Sequence, residues 1–151
     1  MECRQHGIAR RILLRLVQFG EGRDDTRRQQ SVSALRAAGD DPAIFDRTLN
    51  YLAENRLLVL SGAQGSEPRV DLAHEAMLTG WPMLVGWVKE GKEAEVTRRR
   101  YEQQALGWVV LGQGTRGLLS AVDFAELQRW VESPAGQEAG LTKTVLAWMN
   151  A

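Results

Sequence analysis

The stretch "LLVLSGAQGSEPRVDLAH", residues 57–74, constrains the fold more than any other part of the chain. Leu57–Leu60 is a short apolar run. A Gly/Ser/Pro-rich segment follows, and then Arg69, Val70, Asp71 and Leu72 alternate polar and apolar. Two such runs around turn-forming residues predict a β-hairpin. An isolated hairpin is marginal in water, so it must lie against other elements. The regular elements before it read as helices. Residues 5–18, "QHGIARRILLRLVQ", put Ile8, Ile12, Leu13, Leu16 and Val17 on one stripe with arginines opposite. "FGEGRDDTRRQQS" is charged and glycine-interrupted, and reads as an exposed connection. "SVSALRAAGDD" is a short helix closed by Gly39. Asp40 or Asp41 then caps a helix with Pro42 in its first turn and Phe45, Leu49 and Leu52 on its buried face.

Helix, short helix, helix and two-stranded ribbon, in that order, predict a winged helix-turn-helix over residues 1–80. The fold class expected is mainly α with a two-stranded β-wing, followed by a helical extension over residues 81–151. After the ribbon, Ala73, His74, Glu75, Ala76, Met77 and Leu78 read as helix. Trp81-Pro82 opens a long pattern that runs to the cluster "GQGTRG". Gly86 and Gly91 each cost roughly 1 kcal/mol against alanine in a helix interior, so a bend or break near Gly91 is expected. Further helices cover about 118–132 and the closing "LTKTVLAWMNA".

Charge and composition exclude several functions. The 19 basic and 19 acidic residues cancel. They also cancel within residues 1–80, with 11 of each sign, and within residues 81–151, with 8 of each. A dedicated nucleic-acid binder usually carries a basic surplus. The one cysteine, Cys3, allows no internal disulfide and no cysteine-based zinc site, and suits a reducing cytoplasm. No apolar run approaches the ~18 residues of a membrane span, and no secretory leader is expected, because Arg15 interrupts the first apolar segment.

Catalytic patterns are missing as well. No GxxxxGK[ST] phosphate loop occurs, and "GQGTRG" has neither a preceding strand nor a lysine, so it reads as a helix-to-helix loop. Residue 78 is Leu, so His74-Glu75 is not the start of HExxH, and no second metal ligand is in view. His6 reads as a surface histidine. Arg27, Arg28, Arg98, Arg99 and Arg100 are candidate phosphate or interdomain contacts; the plainer reading is solvated faces beside Asp24, Asp25, Glu93, Glu95 and Glu102. Trp81, Trp87, Trp108 and Trp130 suit packing or an interface, self-association included. A winged helix raises DNA binding as an alternative. The helix from about 42 to 56, however, brings Asp46 and Glu54 along with Arg47 and Asn50, and the wing loop has no cation before Arg69.

One combination is specific. Leu72-Ala73-His74-Glu75-Ala76, Trp81-Pro82, Leu84, Trp87 and Arg98-Arg99-Arg100 occur in order. This resembles the region after the nucleotide-binding module of bacterial STAND signalling ATPases, of the type often joined to WD40 repeats and deployed in conflict or defence. "TRR" at 26–28 resembles the family's turn after its first winged-helix helix, and "FAELQRWVES" and the C-terminal stretch resemble its helical tail. The resemblance implies a non-catalytic regulatory piece. ADP or ATP with Mg would be held by an upstream P-loop NTPase domain, and a downstream repeat sensor would read the state. It implies nucleotide sensing by His74 and Glu75, the histidine donating to the β-phosphate in the closed form. An interaction adaptor that never touches nucleotide is the remaining alternative.

Overall fold

A computed structural model describes residues 3–62 and 65–151, and side chains from Gln5 onward. Cys3's thiol and the wing-loop residues Ala63 and Gln64 lie outside what is described. The chain forms two compact units: residues 1–36 with 40–92, and residues 37–39 with 93–151. The first unit therefore continues past the expected boundary at 80. The reason is packing: Leu84 is fully buried in the first core, and Trp81, Trp87 and Val88 lie against it.

In the first unit, α1 (Cys3–Arg15) presents Ile8, Ile12 and Leu13 of the foreseen stripe, and Leu16 and Val17 beyond its end are completely buried alongside Ile12 and Leu13. The helix stops at Arg15. Val17–Gln18 form β1, which pairs antiparallel with β2 (Thr26–Arg27) in the register Val17↔Arg27. Part of the expected exposed connection is thus a small hairpin. Arg15 is buried, and its guanidinium donates to the carbonyls of Ala34 and Arg36 at 3.0 and 3.1 Å. It thereby closes the end of α2 (Val32–Leu35), which Ser31 caps through the Ala34 amide.

Helix α3 (Pro42–Glu54) starts where the sequence says. Asp41 caps it by accepting from the amides of Ala43 and Ile44 at 2.9 and 3.2 Å, and Pro42 takes the first turn. Asp40 instead pairs with Arg11 of α1. Phe45, Thr48, Leu49 and Leu52 form the buried face, and Thr48 satisfies its hydroxyl on the Ile44 carbonyl at 2.8 Å.

The hairpin is β4 (Leu58–Ser61) and β5 (Arg69–Leu72), in the register Leu58↔Leu72. It is not a two-stranded ribbon. β3 (Gln30–Ser31) adds a third antiparallel strand on the other side of β5, giving the order β3-β5-β4. Two polar residues show no alternation, so the sequence pattern could not reveal it. Val70 and Leu72 face the core and are fully buried, beside Leu58.

Helix α4 (Met77–Gly80) is one short turn, and α5 (Pro82–Val110) runs unbroken for 29 residues. Gly91 does not break it. A β-carbon there would lie 2.8 Å from Leu14 Cδ1, so the glycine serves the close approach of α1.

The second unit packs the C-terminal part of α5 with α6 (Ala121–Glu132), α7 (Pro134–Ala139) and α8 (Lys143–Met149). Ser120, Ser133 and Thr142 cap the three helices. Its core is Tyr101, Ala105, Trp108, Leu127, Val145 and Trp148. The "GQGTRG" segment is a loop between α5 and α6. The indoles of Trp108 and Trp148 pin it by donating to the carbonyls of Gly114 and Gly117 at 3.0 and 2.9 Å.

Candidate functional site at the exit of β5

The segment carrying His74 is held at both ends and projects between them. Leu72 is fully buried at the end of β5, and the Ala73 amide donates to the Leu57 carbonyl at 3.0 Å. After the turn, Met77 and Leu78 pack against the same core. His74, Glu75 and Ala76, lying between these anchors, are all exposed. The carbonyls of His74 and Glu75 accept from the amides of Met77 and Leu78 at 3.2 and 3.1 Å, so the backbone is a tight turn.

This corrects one expectation. Helix was read from Ala73 onward, but it begins at Met77 and lasts four residues. His74 and Glu75 therefore stand in the turn ahead of it, outside any helical first turn, and α4 is too short to lend a substantial dipole. Nor does His74 serve as a helix cap or a packing group. Its imidazole does not cap α4, whose N-cap has no side-chain hydrogen bond, and it is not packed beneath the helix. Among the described residues it makes no hydrogen bond or ring contact.

Arg27 approaches this turn from β2. Its exposed side chain donates from Nη1 to the Leu72 carbonyl at 3.3 Å, across 45 positions of sequence. Arg28 is half-buried, and its backbone amide donates to the Leu16 carbonyl at 2.8 Å. The arginine triplet belongs to the second unit, and only Arg100 of the three is exposed. Arg98 is buried, with Nε 2.6 Å from Glu95 Oε1 and Nη1 2.5 Å from Glu102 Oε2. Arg99 Nε also meets Glu95, at 2.5 Å. Burial pulls the Arg98 value down, but the hydrogen bonds and charges of Glu95 and Glu102 outweigh it and hold the group above its ordinary range. Arg98 and Arg99 thus have carboxylate partners on their own helix. The Arg100 guanidinium lies over the Tyr101 ring at 5.2 Å.

The tryptophans divide between the units. Trp81 and Trp87 meet edge to face at 6.3 Å, and exposed His6 sits edge-on to Trp87 at 5.2 Å. Trp108 is buried in the second core, where Trp130 contacts Tyr101 at 5.7 Å. Among the described residues no cluster of three or more His, Cys, Asp and Glu could hold a metal ion. No described helix is long and apolar enough to cross a membrane.

Sequence comparison decides the family. The profile described as novel STAND NTPase 1 matches residues 1–116. The chain belongs to the novel STAND NTPase 1 family. No curated protein sequence matches it, and no solved structure does. The STAND match takes in the whole first unit, with Arg27, His74 and Glu75, and all of α5 with the arginine triplet. It stops before α6, so the likeness expected over the helical tail is not part of it.

Sequence reasoning missed Arg27's carbonyl anchor. No local signal marks a side chain that bonds backbone 45 residues away.

Proposed function

We propose that this chain is the regulatory, non-catalytic portion of a STAND signalling ATPase. Helices α1, α2 and α3 with the β3-β5-β4 sheet form a winged helix that closes over ADP held by a P-loop domain elsewhere in the same polypeptide. His74 donates to the β-phosphate in that closed state, and Glu75 beside it completes the sensing pair. α5 and the helices after it pass the state to a downstream repeat sensor of the WD40 kind. Mg belongs with the nucleotide in the P-loop domain, and the assembly works in the cytoplasm.

The observation that carries this reading is the pairing of family membership with an exposed, unpartnered imidazole at the exit of β5. A neutral or charged imidazole can donate to a phosphate oxygen. Folding leaves this one available by tethering both flanks and spending no bond on the ring. The switch is a population shift: ADP favours the closed arrangement, and exchange for ATP releases it.

The test is His74→Ala in the full protein with its P-loop domain, with ADP release followed after rapid dilution. Loss of one charge-assisted hydrogen bond costs about 1.5–3 kcal/mol. Release should therefore speed up roughly tenfold to a hundredfold. Unchanged release and unchanged basal signalling would return His74 to the role of a surface residue. A DNA-binding reading gains no support from α3, whose outward positions include Asp46 and Glu54 and whose Asp46 pairs with Arg36 at 3.2 Å.

A further inference from the structure

Arg27 sits where a strand hydrogen bond is missing. The Ala73 amide points to β4, since it donates to Leu57. Backbone groups alternate sides along a strand, so Val70 and Leu72 turn theirs toward β3. Val70 finds its partner there, opposite Gln30. Continued by two residues, the same register would set Arg28 opposite Leu72. But the chain has already turned away, and the Arg28 amide is committed to Leu16 at 2.8 Å. The last carbonyl of β5 is therefore left without a strand donor, and the Arg27 guanidinium supplies one at 3.3 Å.

We infer that Arg27 is a positioning residue for His74: it replaces the missing ladder bond at Leu72 and so fixes the direction in which the chain leaves β5. His74 follows two residues later with, among the described residues, no hydrogen bond to its ring, so the direction of the imidazole depends on the backbone that carries it. Arginine suits the task. Its planar fork gives one N–H to the carbonyl at a fixed angle. The inference rests on the nucleotide reading only for what His74 does, not for what Arg27 holds.

Two measurements separate these. In this chain, Arg27→Ala should speed hydrogen exchange at the Ala73 amide by roughly tenfold while leaving the Val70 amide unchanged. Arg27→Lys, which still reaches the carbonyl with a donor, should restore most of the protection. Equal exchange at Ala73 in wild type and Arg27→Ala overturns the inference, as does equal acceleration at both amides, which would report general unfolding. In the full protein, Arg27→Ala should accelerate ADP release about fivefold to tenfold. The same substitution placed on His74→Ala should add nothing, because positioning has no effect once the positioned ring is gone. Additive effects would make Arg27 an independent contact and overturn the inference. If His74→Ala alone leaves release unchanged, the nucleotide reading fails, and the exchange experiment still decides whether Arg27 pins the strand exit.

Discussion

Glu67 and Arg98 are charged side chains whose partners give each a distinct liability. Glu67 is exposed on the approach to β5. Its carboxylate accepts from the hydroxyl and the backbone amide of Ser33, the latter at 2.6 Å, tying the segment ahead of β5 to the start of α2. The Ser33 hydroxyl is the larger cause, and the amide the next, that hold this carboxyl below the ordinary glutamate range. A depressed acid contributes stability above its unfolded value and loses it as pH falls through the folded one. The tie should thus be complete at neutral pH and be lost only as acidification passes below the ordinary glutamate range. Glu67→Gln should flatten the acid limb of a stability-against-pH curve and cost less than about 1 kcal/mol at pH 7, as an exposed contact does. An acid limb of unchanged slope would disprove the tie. Arg98 lies inside the second unit, so removing it strands buried carboxylate charge. Breaking a buried pair costs about 3–5 kcal/mol. Arg98→Ala should fall near the lower end, because Arg99 still holds Glu95. Denaturant unfolding measures it, and a loss under 1 kcal/mol would mean that water reaches the network.

Element ends explain both what the sequence made legible and what it concealed. An aspartate before Pro42 announced the start of α3, with Asp40 and Asp41 both open as its cap, because a capping carboxylate and a proline at the first helical position each satisfy a known terminal requirement. The same logic was available at Ser133-Pro134 and would have revealed α7, which went unpredicted. The return strand 69–72 was legible because one face is buried and the other is not. β1, β2 and β3 were not, since two residues carry no period. His74 was visible as an oddity of composition and resemblance, but its release from helix depends on Met77 and Leu78 docking, which only the packed core determines. The far end of α3 carries a strain that pattern reading overlooks. Leu57 donates to Leu52 at 3.0 Å and Arg56 to Ala53 at 3.0 Å, the Schellman arrangement, with Arg56 at φ 62°. α5 closes the same way and puts a glycine there, Gly112 at φ 95°. A non-glycine residue in this conformation costs about 1 kcal/mol. Arg56→Gly should therefore stabilise the first unit by up to about 1 kcal/mol and raise the melting temperature by roughly 4–8 °C. A fall would show that the Arg56 side chain contributes more than its backbone costs.

At the scale of the molecule, the chain holds two cores, and the division follows buried side chains rather than helix boundaries. Every buried member of the first core, from Ile8 to Leu84, and every partly buried residue packed on it, the last being Val88, precedes Glu93. Gly91 of α5 lies close against Leu14 of α1 within that unit. A chain ending at Lys92 therefore removes no apolar side chain from the first core. It leaves the segment at 37–39 without its partner, since the Ala38 amide donates to Leu141 at 2.7 Å within the second unit. It also leaves the last carbonyls of a shortened α5 to water, a loss confined to one helical turn. About ninety residues with one continuous core lie within the range that folds alone. The 1–92 chain should thus unfold in a single cooperative transition and give dispersed amide resonances, with new rapid exchange limited to residues 37–39 and the last turn. A broad, non-cooperative melt would mean that residues 93–151 supply contacts on which the first core depends. If the fragment folds, Arg27 and His74 come with it, and the group proposed to touch phosphate can be studied apart from the helices proposed to report the contact onward.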